Sequence, residues 1–171
     1  MKIKITFFLA LFFSSFFVQA EDYLQDHTGN KSAYTFIDRL NNNLRVCGFN
    51  IRSASRIDAI QLKVCDSATN TSSFLPRRGG SSGYLNSFNL DRDEYVTAIN
   101  GYIGKKDGDT RIFGLYIVTN KKTSPLYGSS TSSPFYYQAP TDGKHSIQGI
   151  VGWYKNELDS IGVFISDRTG I

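Results

Sequence analysis

The sequence is poor in the residues from which most active centres are assembled. It holds two histidines, two cysteines, one methionine and one tryptophan in 171 residues. His27 and His145 lie in polar sequence away from Cys47 and Cys65, so no ligand set with metal-binding spacing exists, and neither a metal nor another cofactor is expected. Serines are plentiful, but no Gly-x-Ser-x-Gly nucleophile elbow is read among them. After the first twenty residues no apolar run is long enough to span a bilayer. Charge of one sign is also scarce. Setting aside the first twenty residues, with Lys2 and Lys4, leaves 17 basic against 15 acidic side chains, a balance of +2. Arg77-Arg78 and Lys121-Lys122 read as solvated loop charges, and no nucleic-acid partner is expected.

What is present begins with MKIKITFFLALFFSSFFVQA. A basic start, a short apolar run and compact residues at Val18-Gln19-Ala20 predict a signal peptide over 1–20. Residues 21–171 then form a single domain, long enough for a real core. The protein is expected to be secreted and extracellular, or periplasmic in a bacterium. An even cysteine count in that setting predicts a Cys47–Cys65 disulfide, with both residues in one hairpin turning around 52–56. Strict alternation places Cys65 on the face opposite Ile60, Leu62 and Val64, so a bulge or strand end must reorient Cys65.

Helical periodicity is absent. Short alternating runs of Val, Ile, Tyr, Phe and Thr, separated by Gly, Ser, Asn and Asp, predict an all-β chain. The runs repeat. "SRIDAIQLKV", "TRIFGLYIVT" and "NELDSIGVFI" share one pattern, preceded by "VCGFNI", "INGYIG" and "IQGIVG". Gly48 lies ten residues before Asp58 and Gly149 ten before Asp159, while Gly101 lies twelve before Phe113. Gly/Ser-rich loops, "GNKSAYTF", "GGSSGYLNSF" and "YGSSTSSPF", stand further upstream. Each unit of about 50 residues cannot bury an apolar face alone, which predicts three four-stranded antiparallel sheets around a shared core, with pseudo-threefold symmetry. Strands are expected near 57–64, 111–119 and 158–165, with Val64, Leu115 and Val163 pointing into that core.

The stretches "FNLDRDEYVTAINGYIG", "LYIVTNKKTSPLYGSSTSSPF" and "IVGWYKNELDSIGVFI" resemble the jacalin-like lectins. The resemblance covers most of 29–166. It implies a β-prism and the binding of hexose-containing glycans without metal or catalysis. A carboxylate accepts hydrogen bonds from two vicinal sugar hydroxyls at once, and such charge-assisted bonds are the stronger kind. The family's Gly-x-x-x-Asp loop supplies that carboxylate together with backbone donors, and a Gly-Gly loop closes the other side. Carried onto this chain, the resemblance gives a first site of Asn156, Glu157 and Asp159, faced by Gly29. Lys155 stands where the family has glycine, and a lysine in the left-handed conformation that glycine adopts would be strained. It gives a second site of Asp58 faced by Gly79 and Gly80, with Ala54 at the glycine position. Phe113 replaces the third aspartate, and a phenyl ring accepts no hydroxyl hydrogen bonds, so no third site is expected.

Other readings stand beside this one. Asp58 and Asp159 also read as turn residues capping their own hairpins. Trp153 and Tyr154 suit either sugar stacking or packing in the core or at the rim. The same prism without sugar affinity would be a structural or coat protein, and with a partner chain it would be the targeting subunit of a secreted toxin or adhesin. Catalysis by a carboxylate pair is disfavoured because Asp58 and Asp159 are expected on different sheets. Oligomeric state is left open, with a homo-oligomer as the usual route to avidity for shallow sites. Asn30 and Asn70 head glycosylation sequons, and a glycan on Asn30 would crowd the first site.

Overall fold

The computed structural model describes residues 22–41, 43–69 and 71–168. The proposed signal peptide and Asn70 lie outside these residues. The described chain contains no helix. Its strands run in order as β1 (Tyr23–Gly29), β2 (Tyr34–Arg39), β3 (Leu44–Ser53), β4 (Ile57–Asp66), β5 (Thr71–Phe74), β6 (Arg78–Gly79), β7 (Tyr84–Asn89), β8 (Val96–Lys106), β9 (Asp109–Thr119), β10 (Tyr127–Gly128), β11 (Ser133–Gln138), β12 (His145–Tyr154) and β13 (Leu158–Asp167).

Three antiparallel sheets result, ordered β1-β13-β12-β2, β5-β4-β3-β7 with β6 also on β4, and β10-β9-β8-β11. The three long hairpins β3–β4, β8–β9 and β12–β13 carry the repeat and contribute one to each sheet. Alternation makes one face of each apolar, and these faces meet. Ile51, Ile60, Leu62, Ile99, Leu115, Ile117, Ile150, Ile161 and Val163 are all buried, and Val64, Leu115 and Val163 belong to this one cluster. Fully burying such a side chain stabilises the fold by roughly 1.5–3 kcal/mol. Polar ties run between the sheets as well. Arg78 donates two hydrogen bonds to the buried Asp38 carboxylate, at 3.0 and 2.5 Å. The Tyr137 hydroxyl lies 2.9 Å from the Ile161 carbonyl.

The sequence repeat and the sheets are offset from each other. The aromatic stretch after each Gly/Ser-rich loop pairs with the hairpin before it: β7 with β3, and β11 with β8. The hairpin β12–β13 pairs instead with β1 and β2, which lie far ahead of it in the chain. One sequence unit is therefore not one sheet.

A β-bulge interrupts all three hairpins at the same place, between Val46 and Gly48, Val96 and Ala98, and Ile147 and Gly149. Gly48 and Gly149 thus correspond to Ala98, not to Gly101 as the sequence spacing suggested. The middle hairpin is then longer than that spacing implied. Its sisters close three residues beyond the pairs Ser53–Ile57 and Tyr154–Leu158, whereas eight residues separate Ile103 from Ile112.

Cys47 is the bulged residue of β3. The bulge turns its side chain toward Cys65, and the two form a disulfide with a Cα–Cα distance of 5.7 Å. The reorientation that alternation demanded thus falls on Cys47 rather than Cys65. Replacing both cysteines by alanine is expected to lower unfolding free energy by about 3 kcal/mol while leaving a folded protein, since the core is aliphatic and independent of the bridge. Urea denaturation of the two proteins checks this, and equal midpoints at equal slope would contradict it.

Candidate functional site

Asp58 and Asp159 occupy the second positions of β4 and β13, on different sheets, at the end of the prism where the hairpins turn. Phe113 holds the same place in β9, five residues before the partner of the bulge, as Asp58 and Asp159 do. In each unit a facing loop docks on the carbonyl of this residue. Asn30 donates its N–H to Asp159, Gly80 to Asp58 and Ser129 to Phe113, at 3.2, 2.9 and 2.8 Å. The residue before each donor is Gly29, Gly79 or Gly128, all with positive φ. At Gly79 the reason is plain: φ is +118°, and a Cβ would run into the Asp58 carbonyl oxygen.

Around Asp58 the loop Gly79–Gly83 wraps closely enough that a Cβ on Gly83 would strike the carboxylate. Arg52 holds this loop by donating to the carbonyls of Ser81 and Gly83, at 3.0 and 2.9 Å. Gly80 also packs against the Asn156 carbonyl, where a Cβ would collide, so the Asp58 and Asp159 loops touch. The Asp58 carboxylate accepts no hydrogen bond from the described residues. Burial, and then the charge of Glu157, push its pKa above the ordinary aspartate value.

The surroundings of Asp159 are different. Its side chain is only 2 % exposed, and Oδ1 accepts a 2.5 Å hydrogen bond from Arg111 of the middle hairpin. Oδ2 is buried without a hydrogen-bond partner among the described residues. The second Arg111 nitrogen binds Asp109, and Asp109 in turn accepts from the Asn30 side chain, both at 3.0 Å. Among the described residues neither carboxylate accepts a hydrogen bond from its own hairpin.

Lys155 and Ala54 do not adopt the left-handed conformation expected of the family glycine. Asp107, with φ of 52°, is the one non-glycine residue with positive φ among the described residues. The two short loops instead close by matching bonds, Ala54 N–H to the Arg56 carbonyl and Lys155 N–H to the Glu157 carbonyl, each 3.1 Å. Asn156 is exposed. Glu157 turns its side chain to the neighbouring loops, where Arg56 donates two bonds of 2.9 Å and Lys106 a third. Trp153 is covered by His27, with ring centroids 4.2 Å apart, and Tyr154 packs on Tyr34 and on Phe36 at the edge of the core.

Sequence reasoning missed Arg52, Arg56, Lys106 and Arg111, the cations that organise this end. The extra length of the middle hairpin was their one visible signal. Sequence reasoning also overlooked that Gly79–Gly83 spells Gly-x-Ser-x-Gly. That stretch joins β6 to β7, with no strand-to-helix elbow. The histidines lie on strands, at β1 and the start of β12, where His27 and His145 contact Asp26 and Asp142. No group of three or more metal-ligating side chains occurs among the described residues. A cavity of about 520 Å³ lies at the opposite end of the prism, lined by Arg45, Arg92 and Arg168 among others, and includes none of the predicted sugar-site residues.

The Jacalin-like lectin domain family model matches residues 26–164. The chain belongs to the jacalin-like lectin family. Horcolin of barley is 32% identical over 123 residues, covering 72% of this chain and 83% of its own length. The agglutinin alpha chain of Maclura pomifera is 32% identical over 73 residues, 43% of this chain and 53% of its own. Among solved structures, a mannose-binding jacalin-related lectin from Ananas comosus superimposes with a TM-score of 0.73 at 20% identity, covering 86% of this chain and 98% of that one. A lectin from Morus nigra in complex with mannose gives 0.72 at 21% identity, over 86% and 95%. These jacalin-like lectins share the β-prism, and the family is one of carbohydrate-binding, non-catalytic proteins. Membership favours a lectin over the coat-protein and toxin-subunit readings.

The Glu157 cluster carries a pH signature. Hydrogen bonding from Arg56 chiefly, then Lys106, holds the Glu157 carboxyl at about 2, against an ordinary 4.5. A lowered pKa stabilises the folded chain fully above pH 4.5, and that contribution is lost as the pH falls toward 2. Glu157→Gln is therefore expected to destabilise the protein at pH 7 and to flatten its acid limb. Thermal midpoints between pH 7 and 2 that run parallel in the two proteins would contradict this.

Proposed function

We propose that the protein is a secreted lectin whose open sugar site is centred on Asp58. One observation carries this reading. The Asp58 carboxylate has no hydrogen-bond partner among the described residues, yet it is framed by the Gly79–Gly83 loop and the hairpin turn 54–56. A hexose supplies what such a carboxylate needs, two adjacent hydroxyls that donate to its two oxygens. Gly79 and Gly80 let the facing backbone approach, and Arg52 keeps that loop in place. No step of bond making or breaking is required, and the protein is read as non-catalytic. Mannose and mannose-rich N-glycans are the first ligands to try, because the similar lectin from Morus nigra is described in complex with mannose and that from Calystegia sepium with a biantennary N-glycan. The first twenty residues support secretion, and a homo-oligomer would give a shallow site its avidity.

A glycan array on the chain from residue 21 onward tests the reading, with binding to mannose-terminated structures expected. Asp58→Asn keeps the shape and removes the charge. Losing a charged hydrogen-bond partner costs about 1.5–3 kcal/mol, so affinity should fall roughly tenfold to a hundredfold. Undiminished affinity in that variant would reject Asp58 as the sugar-binding group. The raised pKa of Asp58 adds a pH dependence. Its carboxylate protonates above the usual aspartate range, so affinity should begin to fall at a milder acidity than a solvated aspartate would give. Calorimetric titrations across that range check this.

A further inference from the structure

The five extra residues of the β8–β9 hairpin reach across the sheet boundary to the Asp159 carboxylate. The tip turns at Asp107-Gly108, with φ of 52° and 87°, and pairs Lys106 with Asp109 beyond the level at which the sister hairpins end. Its side chains grip both walls of the Asp159 site. Asp109 takes the Asn30 amide on the Gly29 side, and Lys106 takes Glu157 on the other. Between them Arg111 bonds the carboxylate itself, at 2.5 Å. Phe113 anchors the base, with its ring against Gly104, where no Cβ would fit.

Resting on the carbohydrate reading above, we propose that the tip 104–111 is a built-in plug and Arg111 its latch, closing a second hexose site at Asp159. Arg111 stands in for one of the two sugar hydroxyls, supplying an N–H donor to Oδ1. The stand-in is incomplete. Oδ2 stays buried with no donor among the described residues, although an unpaired buried acceptor is costly. A hexose brings donors for both oxygens, so it competes for Asp159 once the tip moves aside. Until then the chain has one accessible site. The binding-competent fraction sets the apparent affinity of a closed site, so a latch that is rarely open makes Asp159 silent.

Titration of the chain from residue 21 onward with methyl α-mannoside, read by the backbone amides of Gly80 beside Asp58 and Asn30 beside Asp159, separates the two sites. In the wild type, Gly80 should respond and Asn30 should not. Arg111→Ala should bring in the Asn30 response, with stoichiometry rising from one to two per chain and affinity at Asn30 gaining at least about tenfold. Asp58→Asn/Arg111→Ala should keep the Asn30 response and lose that of Gly80. Should Arg111→Ala fold poorly, replacing 104–111 by a three-residue turn like those of the sister hairpins should give the same result. The plug is overturned if Asn30 responds in the wild type as strongly as Gly80. It is also overturned if Gly80 responds while Asn30 stays silent in the folded variants. Silence of both amides together with a blank glycan array rejects the carbohydrate reading itself, and the plug with it.

Discussion

A two-stranded hairpin with one apolar face has nowhere to put that face. Everything else in this molecule follows from the way three such hairpins solve the problem together. Each supplies an aliphatic row, and the rows of Ile60, Leu115 and Ile161 and their neighbours pack into one dry interior. Apolar burial sets the fold but not its orientation, because greasy faces are interchangeable. Orientation comes from directional contacts such as Arg78 to Asp38, which tie one sheet to the next. The shared bulge performs the corresponding task within each hairpin, because it adds local twist at one level in all three sheets.

The same symmetry places three equivalent positions at one end, and electrostatics then makes them unequal. A carboxylate at such a position has lost much of its water and needs donors. Asp159 has found one in Arg111. Asp58 has cations nearby, but Arg52 and Arg56 are engaged with the loop carbonyls and with Glu157. In the third position Phe113 removes the requirement altogether. Symmetry in the backbone therefore coexists with three different chemistries, and the difference lies in side chains that the repeat does not specify.

That division explains what could be read from the sequence. The strands around 57–64, 111–119 and 158–165 were legible because alternation and turn residues are local signals, and the disulfide because two cysteines in one hairpin leave one pairing. The loops facing Asp58 and Asp159 were legible through the family's motif. The offset of Gly101 was misread because the tip of the middle hairpin is longer than those of its sisters, and letters alone do not show where the extra residues lie. Arg111 escaped notice for a different reason. It reaches Asp159 only across a sheet boundary, 48 positions along the chain, and no local pattern encodes that meeting.

The sheet that carries Asp159 has a kinetic character of its own. The hairpins β3–β4 and β8–β9 close over short loops, and their neighbours β7 and β11 follow within the same stretch of chain. The sheet around β12–β13 instead joins Tyr34 to Tyr154 and Tyr23 to Ile165. Contacts so distant along the chain pay loop-closure entropy before they return any stabilisation, which slows their formation. During synthesis, β1 and β2 must wait for these partners until β12–β13 has emerged. Two thirds of the prism can assemble before then, and its exposed core faces form the template on which the last sheet closes.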